Sequence, residues 1–320
     1  VQLLPSGVTY HNVLSPDIRR IIKDSLVEKK VVKDLLEDEP DPQVRIVLRR
    51  CGLVDPESFE DSLKAGAYSA LEKVMAGLSP EDVIGIMKES ALRGRGGAGF
   101  PTWRKWELTR VVEAERRFVI CNADEGDPGA FMDRSVLEGD PHGVLEGLIL
   151  AGYCVGASTG FLYIRAEYPL AVARIRKAIE EARAAGLLGK NILGSGFDFD
   201  AEVRLGAGAF VCGEETALIA SIEGMRGSPS PRPPYPSVSG LWGMPTSINN
   251  VETLAAVAPI VENGGAWYAA HGTGESRGTK VFAVTGKVKN SQLVEIPMGV
   301  TLHTIIYDIC GGVLDDEDIK

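Results

Sequence analysis

Short apolar runs alternate with longer helical patterns between residues 117 and 223, and this alternation limits the possible folds more than any other feature. The predicted strands are the runs at 117–123, 160–165 and 198–205. The predicted helices that follow them lie at 142–155, 168–185 and 213–223. Because each helix returns the chain to the start of a strand that runs in the same direction, this order predicts an α/β domain with a mostly parallel sheet.

Residues 1–92 are predicted to form a mostly helical amino-terminal segment. The helical patterns in it lie at 17–37, 57–77 and 80–92. The sequence EPDP after the first of these is typical of a break between helices. The chain begins with Val1 rather than Met and stops at Lys320 within an acidic run, so we expect both ends to have been cut from a longer protein.

A different pattern follows residue 223. The segment 224–245 is rich in proline and glycine and is predicted to be an extended loop. A helix is predicted at 247–262, with Ser247 as its N-cap and Asn249 and Asn250 in its first turn. Beyond it, 279–286, 292–296 and 301–311 are predicted to form a strand, a strand and a helix, which open a small further domain.

Charge and composition argue against several classes of protein. The chain has 34 basic and 44 acidic residues, so we expect it not to bind nucleic acid. The most apolar stretch, at 147–161, is too short to cross a bilayer, and no leader pattern precedes it. We therefore expect a cytoplasmic protein without direct membrane insertion, either free or peripheral on the cytoplasmic side of a membrane complex. The five cysteines are scattered and predict no metal site within the chain.

A glycine-rich segment begins at residue 94, where Gly94, Gly96 and Gly99 have the spacing of a dinucleotide-binding turn. Such a turn normally follows a strand and opens a helix, whereas this one follows a helical pattern and runs into Phe100 and a proline. Closely spaced glycines with cations nearby, such as Lys105, suit a phosphate. A flexible glycine loop is an equally good interpretation of the spacing alone.

Three further segments carry polar groups. The segment CNADEGDPGAFMDR at 121–134 follows a predicted strand, where α/β folds bind ligands, although a solvated acidic turn would look similar. The segment GAGAFVCGEETAL at 206–218 places Glu214 and Glu215 in a first helical turn, where carboxylates also favour the helix dipole. The pair Asn249 and Asn250 supplies exposed amides that suit either a phosphate or helix capping.

Four such segments are more than one nucleotide needs, which favours two nucleotide ligands in one cavity. In this order and spacing they resemble the flavoprotein subunit of respiratory complex I, the 51 kDa type, and its relatives in NAD(P)-linked hydrogenases and formate dehydrogenases. The resemblance covers residues 7–316. It implies an NAD(P)H dehydrogenase with a Rossmann-like domain that transfers a hydride between the nicotinamide of NAD(H) or NADP(H) and FMN. It also implies that single electrons pass to iron–sulfur subunits of a larger redox complex.

The resemblance also implies roles for individual residues. The implied FMN contacts are Gly94, Arg95, Gly96, Gly97, Lys105, Asn122, Asp124, Glu125, Gly213, Glu214, Glu215, Asn249 and Asn250. The implied NADH contacts are Phe100, Asp127, Phe210, Glu215, Arg232 and Tyr235. Glu214 and Glu215 are the implied catalytic pair, which would position NADH and hasten release of the positively charged nicotinamide ring.

At four of these positions the chain departs from the family pattern. Asp127 stands where many members have Glu, Phe210 where complex I subunits have Tyr, Arg232 where Lys is expected, and Tyr235 where Phe is expected. We expect a shorter or water-bridged contact at Asp127 and no hydroxyl contact at Phe210. The final electron acceptor, whether quinone, protons, ferredoxin or CO₂, is left open, and so is the choice between NAD and NADP.

The family's iron–sulfur ligands are not found in this chain. A 4Fe-4S domain, and in some members a 2Fe-2S domain, would lie outside it, so the resemblance implies a fragment of a longer subunit. The implied division is a helical segment at 1–92, the FMN- and NAD(H)-binding domain at 93–275, and a truncated ubiquitin-like β-grasp domain at 276–320. A non-catalytic nucleotide-binding or scaffolding module remains the alternative function. A P-loop phosphotransferase is excluded because its motif is absent from the sequence.

Overall fold

The computed structural model describes residues 1, 3, 8, 10, 13, 15–32, 35, 36, 42–206 and 208–316. It divides into two compact units. The smaller unit consists of Val1–Val44, Phe282–Ile296 and Val300–Lys320, and the larger of Arg45–Val281 and Pro297–Gly299. Residues 45–92, which the sequence groups with the amino-terminal segment, thus lie in the larger unit. The division into three domains stays a prediction.

The secondary structure follows the predicted alternation closely in the larger unit. The strands are β1 (Phe118–Ala123), β2 (Thr159–Arg165), β3 (Asp200–Gly206), β4 (Thr246–Asn250), β5 (Gly272–Thr273), β6 (Ser276–Arg277), β7 (Thr279–Val284) and β8 (Gln292–Pro297). The α-helices are α1 (Ser15–Ile21), α2 (Phe59–Lys64), α3 (Ser69–Met75), α4 (Pro80–Ser90), α5 (Thr102–Arg110), α6 (Met132–Gly139), α7 (Pro141–Val155), α8 (Pro169–Ala184), α9 (Glu215–Ile222), α10 (Val251–Ala255), α11 (Val257–Asn263) and α12 (Gly265–Ala269).

A four-stranded parallel sheet organises the larger unit, in the order β3-β2-β1-β4. The predicted α/β class with a mostly parallel sheet is confirmed. The central strand β1 has the apolar sequence FVICNA and is almost wholly buried, as expected for a parallel strand covered on both faces. Phe118 and Ile120 pack with Phe161 of β2 and Ile248 of β4 in one apolar cluster. The cluster holds the strands in register, so their carboxyl ends meet at one edge of the sheet.

The prediction of a helix at 247–262 is wrong at its amino-terminal end. Residues 246–250 form strand β4, which pairs in parallel with β1 so that Phe118 is opposite Thr246 and Asn122 is opposite Asn250. Asn250 rather than Ser247 is the N-cap of α10, and its side chain accepts a hydrogen bond from the backbone N–H of Thr253. Pairing with a strand that is distant in sequence has overridden the local helical pattern.

Two other boundaries differ from the sequence patterns. The predicted helix at 57–77 is two helices, α2 and α3, because the chain turns at Gly66 with φ +84°. The helix predicted at 17–37 ends as α-helix at Ile21 and continues as π-helix over Ile22–Val27. Residues 33, 34 and 37 of that prediction lie outside the described residues.

Helix α7 forms the apolar centre of the larger unit. All its residues except Tyr153 are buried, and it is capped by Asp140, whose side chain accepts from the backbone N–H of Gly143. The side chain of Asp140 also forms a buried ion pair with Arg50, with 2.9 Å between Oδ2 and Nε. Gly147 faces α10 so closely that an added Cβ would overlap the carbonyl group of Leu254. This close approach holds α10, and therefore the end of β4, against the core.

The smaller unit has its own apolar cores. One contains Val294 and Ile296 of β8 with Ile305, Ile309 and Cys310. Another contains Tyr10, Ile21 and Val32. Strands β7 and β8 form a two-stranded sheet, and a π-helix spans Thr304–Ile309, close to the predicted strand, strand and helix. The β-grasp assignment itself stays a prediction. Within the described residues, no helix combines the length and apolar character needed to cross a membrane.

We expect Gly147→Ala to lower the free energy of unfolding by about 1–3 kcal/mol, because the new methyl group must push α7 and α10 apart. The matched control is Gly85→Ala in α4, which is exposed and has no described atom within 4 Å of an added Cβ. That change should be neutral or stabilising by about 0.5–1 kcal/mol. Urea unfolding of both variants measures the difference, and equal stabilities would contradict the proposed helix contact.

Candidate functional site

A cavity of about 610 Å³ opens at the carboxyl ends of β1 and β4, where ligands bind in open α/β sheets. Its volume lies in the range of small-molecule sites. The predicted site residues that line it are Gly94, Gly96, Phe100, Lys105, Asn122, Gly213, Glu214, Glu215, Arg232, Tyr235, Asn249 and Asn250. Gly99, the third glycine of the predicted turn, also lines it, together with residues not singled out from the sequence: Ala98, Leu108, Pro236, Ser237, Val238, Thr246, Ile248 and Thr253. All four glycine-, acid- or amide-rich segments therefore contribute to one cavity.

The glycine-rich loop reaches the cavity because its residues lack side chains. A Cβ on Gly96 would lie 3.1 Å from the Cβ of Asn250, and Gly97 and Gly99 have φ angles of +117° and +64°. The loop is closed by a hydrogen bond from the Gly94 N–H to the carbonyl of Phe100, at 2.9 Å. It opens helix α5, but it follows helix α4 rather than a strand. Of the two flanking elements expected for a dinucleotide-binding turn, a strand before it and a helix after it, the loop has only the helix.

Arg95 contributes to the structure rather than to the cavity wall. Its backbone N–H donates to Thr253 Oγ1 at 2.9 Å. Its Nη2 donates to Tyr268 Oη at 3.1 Å and to the carbonyl of Arg277 at 2.8 Å. The guanidinium group is therefore held by α12 and the β6 hairpin. Gly97 does not line the described cavity either.

Two cations and two carboxylates form a charged cluster in the cavity wall. Lys105 Nζ lies 2.8 Å from Glu215 Oε1 and donates to the carbonyl of Ile248 at 3.0 Å. Arg232 Nη1 lies 3.2 Å from Glu215 Oε2, and its Nη2 lies 3.4 Å from Glu214 Oε1. All four side chains are between a quarter and two fifths exposed. Ion pairs at this exposure are weak, so a charged ligand can displace them at little cost.

The two adjacent glutamates have different structural roles. Glu214 is the N-cap of α9, and its Oε2 accepts from the N–H groups of Thr216 and Ala217 at 2.9 and 3.1 Å. Burial raises the pKa of Glu214, but these hydrogen bonds and the charge of Arg232 outweigh it and leave the pKa below its ordinary value. The carboxylate of Glu215 is paired with the two cations described above. Glu215 can therefore exchange its ion pairs for contacts with a ligand, whereas Glu214 could do so only by giving up the cap of α9.

Asn122 and Asp124 lie at the end of β1. The Nδ2 of Asn122 donates to the carbonyl of Gly213 at 2.9 Å, and its Oδ1 accepts from the Asp124 N–H. The side chain of Asp124 is 2% exposed, and its Oδ2 has no hydrogen-bond partner among the described residues. Burial raises the pKa of Asp124 to about 6, even though Arg165 Nε lies 3.9 Å from its Oδ1. Asp124 does not itself line the cavity, but its Oδ2 lies 3.8 Å from the position of a Cβ on Gly213, which does.

The remaining predicted residues of the acidic segment lie outside the cavity wall. The buried carboxylate of Glu125 accepts from the N–H groups of Asp133 and Arg134, both at 3.1 Å, and thereby caps α6. Asp127 is exposed. The ring of Phe210 is 70% exposed and covers Gly126, where an added Cβ would lie 2.6 Å from the ring. The cavity wall therefore does not include the predicted residues Asp124, Glu125, Asp127 and Phe210.

The predicted exposure is wrong for Asn249, whereas Asn250 is half-buried and caps α10, as the capping alternative predicted. Asn249 is 5% exposed, and its Oδ1 accepts from Trp106 Nε1 while its Nδ2 donates to Ser247 Oγ, both at 3.2 Å. Asn250 Nδ2 donates to Asp133 Oδ2 at 2.6 Å. Both amides are used inside the protein because they end a buried strand. Sequence reasoning missed Trp106 and Asp133, for which local spacing carries no signal.

No group of three or more His, Cys, Asp and Glu side chains is placed to hold a metal ion within the described ranges. The described cysteines are all free thiols.

Comparison with known proteins agrees with this geometry. Residues 87–259 match the family of the Nuo51 FMN-binding domain. The chain is 54% identical over 278 residues to the HndC component of the NADP-reducing hydrogenase of Solidesulfovibrio fructosivorans, covering 87% of this chain and 56% of the relative. It is 48% identical over 277 residues to an NADH-quinone oxidoreductase component of Aquifex aeolicus (strain VF5), covering 87% of this chain and 65% of the relative.

A similar solved structure is that of an NAD⁺-reducing [NiFe]-hydrogenase in the H₂-reduced state. The TM-score is 0.73 at 36% sequence identity, and the match covers 94% of this chain and 50% of the hydrogenase chain. The chain thus spans between half and two thirds of the length of these proteins.

The neighbouring glutamates should differ in their effect on stability. Glu214→Ala removes the N-cap of α9 and should lower the free energy of unfolding by about 1 kcal/mol. Glu215→Ala removes two partly exposed ion pairs and should change it by less than about 0.5 kcal/mol. Chemical unfolding of both variants at neutral pH measures this. A larger loss for Glu215→Ala would contradict the division of roles.

Asp124→Asn should stabilise the chain in a pH-dependent manner. The folded pKa of Asp124, about 6, lies above its ordinary value of 3.8, so the folded chain keeps a proton that the unfolded chain releases between these values. Its contribution to stability therefore falls as pH rises from about 4 to about 6. The variant and the wild type should have similar Tm values at pH 4, and the variant the higher Tm at pH 7. The control is Asp127→Asn, the same substitution at an exposed position of the same segment.

Proposed function

This chain belongs to the family of the Nuo51 FMN-binding domain, and from that premise we propose that its cavity binds FMN and a nicotinamide dinucleotide and supports hydride transfer between them. The observation that carries the proposal is the convergence of four distant segments on one cavity, each with a residue type suited to a nucleotide. Its volume of about 610 Å³ lies within the range of small-molecule sites and is proposed to hold the flavin together with part of the dinucleotide.

Three features support a fit to FMN. The side-chain-free loop at Gly96 leaves backbone groups exposed to a phosphate, and the cation of Lys105 lies in the same wall. Gly213, in the cavity wall, approaches the acidic segment so closely that an added Cβ would lie only 3.2 Å from the carbonyl oxygen of Asp124, so no side chain blocks the cavity there. The orphaned Oδ2 of Asp124, 3.8 Å from the position of a Cβ on the wall residue Gly213, is proposed to accept a hydrogen bond from a ligand hydroxyl group.

Bound FMN supplies an acceptor that takes two electrons as a hydride and can release them one at a time. The chain's own residues orient the reactants. Glu215, with Lys105 and Arg232, fixes the dinucleotide and exchanges these ion pairs for contacts with it. Phe100 and Tyr235, which are 41% and 57% exposed in the cavity wall, provide aromatic faces for the adenine.

The predicted residues outside the cavity wall are proposed to support the wall or to contact the part of the dinucleotide that extends beyond it. Arg95 and Gly97 shape the glycine loop, Glu125 anchors the acidic turn, and Asn249 and Asn250 hold the end of β4. Asp127 and Phe210 are proposed to contact the dinucleotide when it extends beyond the wall, with a shorter contact at Asp127 and no hydroxyl contact at Phe210.

We further propose that the chain works within a larger redox complex. This rests on the names of its relatives, which are components of an NADP-reducing hydrogenase and of NADH-quinone oxidoreductase. The partners would be iron–sulfur subunits that take single electrons from the flavin, with a 4Fe-4S cluster, and in some relatives a 2Fe-2S cluster, in the full-length protein. A cytoplasmic location, free or at the cytoplasmic face of a membrane complex, belongs to the same proposal.

A non-catalytic nucleotide-binding module is the alternative, and one experiment separates the two. The chain is reconstituted with FMN, freed of excess flavin and mixed anaerobically with NADH, and separately with NADPH. We expect the visible flavin absorbance to bleach and to return on addition of ferricyanide. Bound flavin that does not bleach with either dinucleotide would favour the alternative, and failure to retain FMN would refute the proposal.

Glu215→Gln should impair the handling of NADH more than the binding of FMN. Glu215 is held by cations in the cavity wall, so its loss removes charge from the dinucleotide site without disturbing the glycine loop. We expect a roughly tenfold rise in KM for NADH in the ferricyanide assay, as for the loss of one charged hydrogen bond, with flavin content close to that of the wild type. Glu60→Gln, exposed in α2, is the control. If the variant had a normal KM for NADH but a low flavin content, Glu215 would belong to the FMN site and not to the dinucleotide site.

A further inference from the structure

We propose that Asp133 is a positioning residue of the cavity, which fixes the side chain of Asn250 and thereby the wall on which the glycine loop rests. This inference depends on the proposed function only for the identity of the ligand, FMN. Asp133 does not line the described cavity, and the sequence gives no signal for it. Its role follows from its hydrogen bonds with Glu125 and Asn250, which join the acidic segment to the end of β4, on which the glycine loop rests.

The contact with Asn250 is the first step. Asp133 lies in the first turn of α6, is 6% exposed, and accepts from Asn250 Nδ2 at 2.6 Å. At its other end the amide of Asn250 accepts from the Thr253 N–H at 3.3 Å. Since both ends of the amide are occupied, the side chain of Asn250 has one orientation and cannot turn over.

Asn250 in turn supports the glycine loop. The Cβ of Asn250 is 3.1 Å from the position of a Cβ on Gly96, so loop and side chain are in direct contact. The adjoining Arg95 N–H donates to Thr253 Oγ1, in the helical turn that Asn250 caps. A change in the side chain of Asn250 is therefore transmitted to the loop by contact on one side and by a hydrogen bond on the other.

The acidic segment completes the connection. The carboxylate of Glu125 accepts from the backbone N–H of Asp133, so the start of α6 is attached to the turn that carries Asp124. Asp133 thus joins the turn at Glu125, in its own segment, to Asn250 at the end of β4, and through Asn250 to the glycine loop. A residue in this position controls the spacing between the segments without touching a ligand.

The surroundings of Asp133 favour its neutral form. Burial, followed by the nearby carboxylates of Glu125 and Glu252, raises the pKa of Asp133 well above its ordinary value, against the opposing effects of Lys280 and Asn250. The buried thiol of Cys121 is a further titratable neighbour. Oδ1 of Asp133 has no hydrogen-bond partner among the described residues. A neutral Asn at this position keeps the acceptor for Asn250, whereas Ala removes it.

FMN binding by purified variants tests the positioning role. Asp133→Ala should weaken FMN affinity about tenfold, the effect of losing one buried hydrogen bond, and Asp133→Asn should recover most of that loss. The double variant Asp133→Ala with Asn250→Ala should bind FMN no more weakly than Asn250→Ala alone, because both changes break the same contact. The proposal would be overturned if the double variant bound FMN more weakly than Asn250→Ala by the full factor seen for Asp133→Ala. It would also be overturned if Asp133→Asn bound FMN as weakly as Asp133→Ala. Asp61→Ala, exposed in α2, is the control.

A second measurement needs no flavin and tests the role of Asp133 separately from the proposed FMN binding. A raised pKa means that the folded chain keeps a proton on Asp133 that the unfolded chain releases, so the wild type should lose stability relative to Asp133→Asn as pH rises above about 4. Thermal unfolding of both proteins without FMN, from pH 4 to 8, measures this difference. A difference that stays constant with pH would overturn the role of Asp133. A wild type that unfolds as expected but does not bind FMN would instead refute the proposed function.

Discussion

The parallel pairing of β4 with β1 is the interaction on which the rest of the site depends. It brings residues 246–250 beside 118–122 and thereby places the ends of two strands together at one edge of the sheet. Every other segment of the cavity is attached to that edge. Lys105 donates to the carbonyl of Ile248, Trp106 to the amide of Asn249, and the glycine loop to Thr253. If β4 were the helix that its local pattern indicates, none of these partners would be in reach.

Buried polar groups divide the site into a framework and an exchangeable part. The buried amide of Asn249 and the buried carboxylate of Glu125 are each held by two hydrogen bonds from within the chain, and leaving either of them unpaired would be costly. The carboxylate of Glu214, although partly exposed, is fixed by the N–H groups of α9 that it caps. The pairs of Glu215 with Lys105 and Arg232 are partly exposed and therefore weak. A ligand with phosphates and a cationic ring can replace such pairs while the framework keeps its geometry.

This division gives the polar side chains behind the cavity wall a role. They do not bind the proposed ligands but hold the wall in place. A hydride transfer requires two flat rings to be held in one relative orientation, and binding groups that move would lose that orientation. Here the cavity wall is fixed by contacts behind it, such as those of Asp133 and Trp106, and the groups left free are few. One is the side-chain oxygen of Asp124 that has no partner among the described residues.

The sequence by itself determined the α/β class, three of the four strands of the parallel sheet, and the four segments that line the cavity. These are set by local periodicity, by glycine spacing and by residue type, and they also carry the resemblance that led to FMN and the nicotinamide. Only the tertiary structure decided that 246–250 is a strand, that Asn249 is buried, that Asn250 bonds to Asp133, and that Glu215 is paired with Lys105. These features depend on partners more than a hundred residues away, such as Asp133 for Asn250 and Lys105 for Glu215, or on whether a side chain is buried. Local pattern contains neither kind of information, because the same residue types would serve equally well in a solvated turn.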